Sequence, residues 1–160
     1  MTNPDRWLID HVYEPLSWRS EYYLRLNCFQ LAIISESIFT VAALTSLAQR
    51  GIDIVALAPI FGGGWMSFAL LAIYLDKLMK RTPQFLNPVK PAWGIRMLGL
   101  STYVVVLAIH WRFLRMDVLS LDLMGVGGYM SYLYFMACNP MPPKWEPTRS
   151  HHRALKLEPR

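Results

Sequence analysis

Charged residues are scarce in this chain, and their scarcity is concentrated in particular segments. Asp, Glu, Lys and Arg make up 17% of the 160 residues, whereas a soluble domain usually carries about 25%. A soluble helical bundle would distribute charges along every helix at a spacing of 3.6 residues. Here whole segments almost lack charge, which argues against a soluble bundle.

Cysteine and recognisable site motifs are also scarce. Cys28 and Cys138 are the only cysteines, and without a nearby pair of histidines they predict reduced structural thiols rather than a zinc site. His110 is the only histidine in an apolar segment, which excludes a bis-histidine haem site within the segments. No phosphate loop, serine elbow or paired metal-ligand spacing occurs. We therefore predict no metal, no cofactor and no catalytic activity.

Four apolar stretches occupy most of the chain. They run over residues 27–48, 54–75, 97–115 and 118–138, each close to the ~20 residues that a helix needs to cross a bilayer. We predict an all-α integral membrane protein whose transmembrane domain, 27–138, contains four helices. Segment 1–26 precedes this domain, and a basic, proline-containing tail, 139–160, follows it.

The basic residues lie in alternate connections between these stretches. Of the 16 Lys and Arg residues, 13 lie in segments 1–26, 76–96 and 139–160. The positive-inside rule places those segments, and with them both termini, in the cytoplasm, and we expect a bacterial inner membrane. The net charge of +5 is thus assigned to topology and membrane lipids rather than to nucleic acid. The residues expected to contact lipid headgroups are Lys77, Lys80, Arg81, Lys90 and Arg96.

Segment 1–26 mixes aromatic and charged side chains. Trp7, Trp18 and Tyr23 are among its aromatic residues, and such residues favour the boundary between membrane and water. Pro15 predicts a break into two short helical pieces. An interfacial anchor is the favoured interpretation, and a docking arm for a partner protein is the alternative.

Glu36 is an ionisable residue at membrane depth. It lies nine residues beyond Asn27, about 13 Å along a helix. Ser67 and Tyr129 are expected at the same level and are its predicted partners. A proton or cation site, an acidic ring in an oligomeric pore and a structural acid hydrogen-bonded between helices all remain open.

A second polar cluster is predicted near the outer face. The short turn between the third and fourth stretches makes those helices antiparallel neighbours, so Asp122 is expected to pair with His110, Arg112 or Arg115. An ion pair that closes the hairpin is favoured over a proton relay.

Glycines are predicted to mark helix contacts, because small residues let helix backbones approach closely in lipid. The residues concerned are Gly62, Gly63, Gly64, Gly125 and Gly128. For the run 62–64, a hinge or an unwound, cavity-lining stretch is the alternative.

These patterns favour a non-catalytic subunit of a larger inner-membrane assembly that contacts lipids and other subunits or copies of itself. A homo-oligomeric channel or holin-like pore with Glu36 at mid-membrane is the alternative. A small enzyme acting on lipids or quinones, using His110 and Asp122, is the weakest of the three.

Overall fold

The computed structural model describes residues 4–81, 87–111 and 116–142, and these residues form helices and no strands. This confirms the all-α class. The α-helices, in chain order, are α1 (Pro4–Leu8), α2 (Glu14–Leu24), α3 (Cys28–Gln49), α4 (Ile54–Arg81), α5 (Trp93–Trp111) and α6 (Met116–Ala137), with a π-helical segment, Ile9–Tyr13, joining α1 to α2. Two of them, α3 and α4, are long and apolar enough to cross a membrane.

The first long helix has well-defined signals at both ends. The Asn27 side chain accepts a hydrogen bond from the Gln30 amide, and the Gln30 side chain accepts one from the Asn27 amide, both at 2.9 Å. This capping box satisfies two amides that have no partner within the helix. At the other end Gly51 has a φ of 76°, a left-handed conformation that glycine adopts without strain. The chain therefore reverses tightly from α3 into α4.

The helix α4 is longer than predicted and is continuous. It runs 28 residues to Arg81, through Pro59 and through the glycine run 62–64. Beyond Leu75 its last turns contain a stabilising i,i+4 ion pair, in which Lys80 Nζ lies 2.8 Å from Asp76 Oδ2. The alternative of an unwound stretch at the glycines is therefore wrong, and a hinge there remains a prediction.

The predicted break at Pro15 is also wrong, since residues 4–24 are helical throughout. The Glu14 amide donates to the Ile9 carbonyl, five residues back, at the end of the π-helical segment. Pro15 then occupies the first turn of α2, where a missing N–H costs little. The widened turn ahead of the proline lets the helix continue.

The centre of the molecule is α3, which packs against both α6 and α4, while α5 contacts α6. The core between them contains Phe29, Ala32, Ala72, Tyr132 and Phe135. The N-terminal helices fold back on one end of this layer, where Ile9 is buried and Tyr13 stacks on Tyr134 with ring centroids 4.8 Å apart. That end carries most of the charged contacts.

Candidate functional site

A cluster of charged and amide side chains joins the N-terminal helices to the segment before α5, to the first turn of α5 and to the end of α6. We call it the polar junction, and it comprises Asp5, Asp10, Glu14, Asn87, Lys90, Arg96 and Asn139. Its centre is the ion pair between Asp5 and Arg96, in which Arg96 Nε and Nη2 lie 2.9 and 2.6 Å from the two carboxylate oxygens. The two residues are 5% and 1% exposed, so this is a buried bidentate pair.

The remaining hydrogen-bonding capacity of Arg96 is also used. Its Nη1 and Nη2 each donate at 2.8 Å to a backbone carbonyl, those of Val89 and Lys90. The guanidinium carbon lies 6.0 Å from the centre of the Tyr134 ring, and Tyr134 hydrogen-bonds Asp5. A buried ion pair stabilises only when such additional partners offset its desolvation. Arg96 therefore tethers α1 to the segment before α5 and to α6.

Lys90 connects the polar junction to two further carboxylates. Its Nζ lies 2.8 Å from Asp10 Oδ1 and 2.7 Å from Glu14 Oε1. Glu14 also accepts hydrogen bonds from the backbone and side-chain amides of Asn139. Burial by itself lowers the pKa of Lys90, but the hydrogen bonds and charges of Asp10 and Glu14 together outweigh burial and raise this pKa. The ammonium form is therefore the stable one here.

The pH dependence of stability follows from that shift. A lysine whose pKa is raised on folding contributes stability that is fully present below its unfolded pKa, about 10.4, and that is lost as pH rises through the folded value. We therefore expect a part of the stability to disappear above about pH 10.4. Thermal unfolding of the wild type and of Lys90→Met across that range tests this. The variant should lack that loss, and an equal loss in both proteins would contradict the assignment to Lys90.

Asparagine side chains attach the end of α6 to this cluster. Asn87 is fully buried and its Nδ2 donates to the carbonyls of Met136 and Cys138 at 2.9 and 2.7 Å. Trp18 Nε1 donates to the Asn139 carbonyl at 3.0 Å. Carbonyls at a helix C-terminus lack hydrogen-bond partners within the helix. The Asn87 and Trp18 side chains donate the hydrogen bonds that these carbonyls would otherwise lack.

The predicted headgroup contacts divide into two groups. Arg96 is wrong as a lipid contact, because its buried guanidinium is already paired with Asp5. Lys90 is partly buried and engaged with Asp10 and Glu14. Lys77, Lys80 and Arg81 are exposed at the end of α4, so their contact with lipid remains a prediction.

The mid-membrane cluster predicted around Glu36 is assembled differently from the prediction. Glu36 is 2% exposed and lies where α3 packs on α6, within electrostatic range of Tyr129 and Tyr132. Ser67 is wrong as a partner, because it is exposed and donates to the Gly63 carbonyl of its own helix at 2.9 Å. The prediction paired Ser67 with Glu36 because both lie at the same depth along their helices. The rotation of α4 about its axis, however, turns the Ser67 side chain away from Glu36.

The cluster predicted at the outer face contains an ion pair that was not predicted. Asp122 accepts a hydrogen bond from Ser46 Oγ at 2.6 Å and pairs with Arg50, whose Nη2 lies 2.5 Å away. Both partners come from the end of α3, since α3 and α6 are close neighbours there. The His110 side chain, Arg112 and Arg115 lie outside the described part of the structure.

Only some of the glycines predicted at helix contacts lie at a contact within the described chain. Gly128 is confirmed as a contact, because a Cβ there would lie 2.8 Å from the Ser35 carbonyl oxygen and 2.8 Å from the Phe39 amide nitrogen. Gly125 is buried. For each glycine of the run 62–64, a Cβ would meet no described atom within 4 Å, so the predicted packing is not made within the described chain. A Cβ at Gly99 would lie 3.0 Å from Leu133 Cδ1 and 3.1 Å from Tyr129 Cε1, a close contact that was not predicted.

The two thiols are neighbours in the fold. Cys28 and Cys138 are free and buried, and the Cys28 sulfur lies 3.8 Å from the Cys138 carbonyl oxygen. Their placement brings the start of α3 against the end of α6.

Comparisons with protein-family models, curated proteins and solved structures find no match for this chain, so a functional proposal must rest on the geometry above.

Proposed function

We propose that this protein is a non-catalytic subunit of a multi-protein assembly in a bacterial inner membrane, with four transmembrane helices and both termini in the cytoplasm. The length and apolar character of α3 and α4 support membrane insertion. The distribution of Lys and Arg supports the orientation. In this arrangement the polar junction and the exposed aromatic residues Trp7 and Tyr23 lie at the cytoplasmic membrane surface.

The observation that carries the proposal is the uncovered first half of α4. Val55 is 77% exposed and Ile60 is 69% exposed. The glycine run 62–64 lies on this half, and a Cβ added at any of the three would meet no described atom within 4 Å. Small residues in a membrane helix allow a neighbouring helix to approach closely. The described chain supplies no such neighbour, and we infer that a helix of another subunit packs there.

The engagement of the charged groups supports a structural role. Asp5, Glu14, Lys90 and Arg96 bind one another or backbone groups within the polar junction. A general acid or base, by contrast, must reach a substrate. The exposed surface of the first half of α4 is instead mostly apolar, as at Val55 and Ile60, which suits contacts with lipid and with other membrane helices.

The pore alternative loses its main support. A carboxylate ring that selects cations must face a lumen shared by several copies. Glu36 instead lies between α3 and α6 of one chain and is almost fully buried. Ion conduction is therefore an outcome of the test below rather than a second proposal.

The test compares two glycines that both face open space within this chain. We expect Gly63→Leu to remove the partner subunits, because a bulky side chain at a close helix contact costs about 1–3 kcal/mol, which corresponds to a loss of affinity of about 5- to 150-fold. Gly127 on α6 is the matched control, since a Cβ there also meets no described atom within 4 Å. The measurement is purification in mild detergent followed by quantitative mass spectrometry of the co-purifying proteins.

The expected result is a fixed stoichiometry of other membrane proteins with the wild type and with Gly127→Leu, and its loss with Gly63→Leu. A homo-oligomer that conducts ions in liposomes would overturn the proposal in favour of the pore. Equal co-purification by both variants would show that the first half of α4 is not the subunit contact.

A further inference from the structure

Two buried polar atoms at the contact between α3 and α6 have no hydrogen-bond partner among the described residues. They are Glu36 Oε2 and the Tyr132 hydroxyl, and each residue is only 2% exposed. Buried polar groups in native proteins nearly always have a hydrogen-bond partner, so two unsatisfied polar atoms in one cluster indicate that a small ligand binds there. A protonated carboxyl group can donate and a tyrosine hydroxyl can donate or accept, so a water molecule, which does both, satisfies them.

The surroundings of Glu36 contain no compensating cation within the described residues. The groups of α6 that Glu36 acts on electrostatically are Tyr129 and Tyr132, and Phe68 of α4 packs against the Tyr132 ring with centroids 5.2 Å apart. Arg50 lies 14 residues further along α3, about 21 Å away along the helix axis, and pairs with Asp122. A carboxylate buried without a counter-charge is strongly unfavourable, whereas the neutral acid is not.

We propose that Glu36 and Tyr132 form a proton-binding site, in which Glu36 carries one proton as a neutral carboxylic acid and a single buried water joins its Oε2 to the Tyr132 hydroxyl. The ligands are a proton, taken from solvent, and one water molecule. A buried water needs at least two polar partners, and the two unsatisfied oxygens are the partners that the proposal assigns to it. The carboxylic acid donates to the water, and the water donates to the tyrosine oxygen.

Proton occupancy is coupled to helix packing by the position of this site. Ser35 and Phe39, whose backbones lie against Gly128, flank Glu36 along α3. The site therefore lies at a close approach of α3 to α6. Loss of the proton places a negative charge at this contact and weakens it. This inference concerns the single chain and does not depend on the partner subunits proposed above.

Infrared spectroscopy of the purified protein in lipid nanodiscs tests the proposal. At pH 7 we expect the C=O stretch of a protonated carboxylic acid, which shifts in heavy water and is absent from Glu36→Gln. Glu21→Gln is the matched control, because Glu21 is a partly exposed acid outside the long helices that accepts a hydrogen bond from the Met141 amide. The control should keep the band at full intensity.

Tyr132→Phe tests the bridging water. We expect the carboxylic acid band to persist in this variant but to shift in frequency, since the water loses one of its two partners. An unchanged band would overturn the water bridge, and carboxylate stretches from Glu36 at pH 7 would overturn the proton site. If Glu36→Gln does not fold, wild type with carbon-13 in its glutamate carboxyl groups gives the same answer. A protonated glutamate band supports the site and its absence overturns it.

Discussion

Arg96→Met is expected to lower the free energy of unfolding by about 3–5 kcal/mol, one of the two largest effects that the structure predicts. Removal of the guanidinium leaves the Asp5 carboxylate 5% exposed and without its bidentate partner. Thermal and denaturant unfolding in detergent measure the loss. Trypsin provides a local readout, because release of the N-terminal helices from α6 exposes the backbone at Arg6 and Arg19 to cleavage.

Two further variants separate this effect from a general loss of charge. The double variant Asp5→Leu with Arg96→Met should recover much of the stability, since replacing both members of a buried pair by apolar residues is often neutral. Lys80→Met removes a cation whose side chain is mostly exposed and paired with Asp76, and should cost no more than about 1 kcal/mol. If Arg96→Met is as mild as Lys80→Met, the buried pair does not hold the N-terminal helices.

Gly128→Ala is expected to destabilise the contact between α3 and α6. The added Cβ would lie 2.8 Å from the Ser35 carbonyl oxygen and 2.8 Å from the Phe39 amide nitrogen, and both atoms belong to the backbone of α3. Backbone atoms in a helix cannot move aside alone, so the helices must separate. Overpacking of this kind costs about 1–3 kcal/mol, against a gain of about 1 kcal/mol from the helix propensity of alanine.

The neighbouring glycine supplies the matched control. Gly127 lies in the same helix, but a Cβ there meets no described atom within 4 Å. Gly127→Ala should therefore be neutral or should stabilise by up to about 1 kcal/mol. Thermal unfolding of both variants side by side gives the comparison. Equal behaviour would contradict the close approach of α3 and α6 at Gly128.

Together these predictions describe a chain with two different kinds of surface. Its polar junction and its contact at Gly128 are closed by many specific interactions, whereas the first half of α4 is uncovered. A self-sufficient protein would gain little from glycines at an uncovered helix face, since each costs about 1 kcal/mol relative to alanine. The contrast is the reason that the proposed function places a partner there.

The extent of α3 was predictable because its signals are local. The apolar run, the Asn27 cap and the turn at Gly51 all lie within a few residues of the helix ends, and the predicted and observed boundaries agree within one residue. The extension of α4 to Arg81 was missed, because its last turns are polar and hydropathy no longer marks them.

The pairing of charged residues was much less predictable. Asp5 and Arg96 are 91 positions apart, and nothing near either residue indicates the other. The sequence predicts Arg96 as a headgroup contact because it lies in segment 76–96 with several other basic residues. Depth along a helix placed Tyr129 correctly near Glu36 but also selected Ser67, since depth does not specify the direction in which a side chain points.

The sequence by itself thus determined the all-α class, the apolar helices and the placement of positive charge, because these depend on local composition and on helix length. Only the tertiary structure decided that Arg96 is buried, that Arg50 meets Asp122, and that Gly128 lies against α3 while a Cβ at Gly63 would meet no described atom within 4 Å. Those outcomes depend on the rotation of each helix about its axis and on which helices become neighbours. Hydropathy and length leave both of these undetermined.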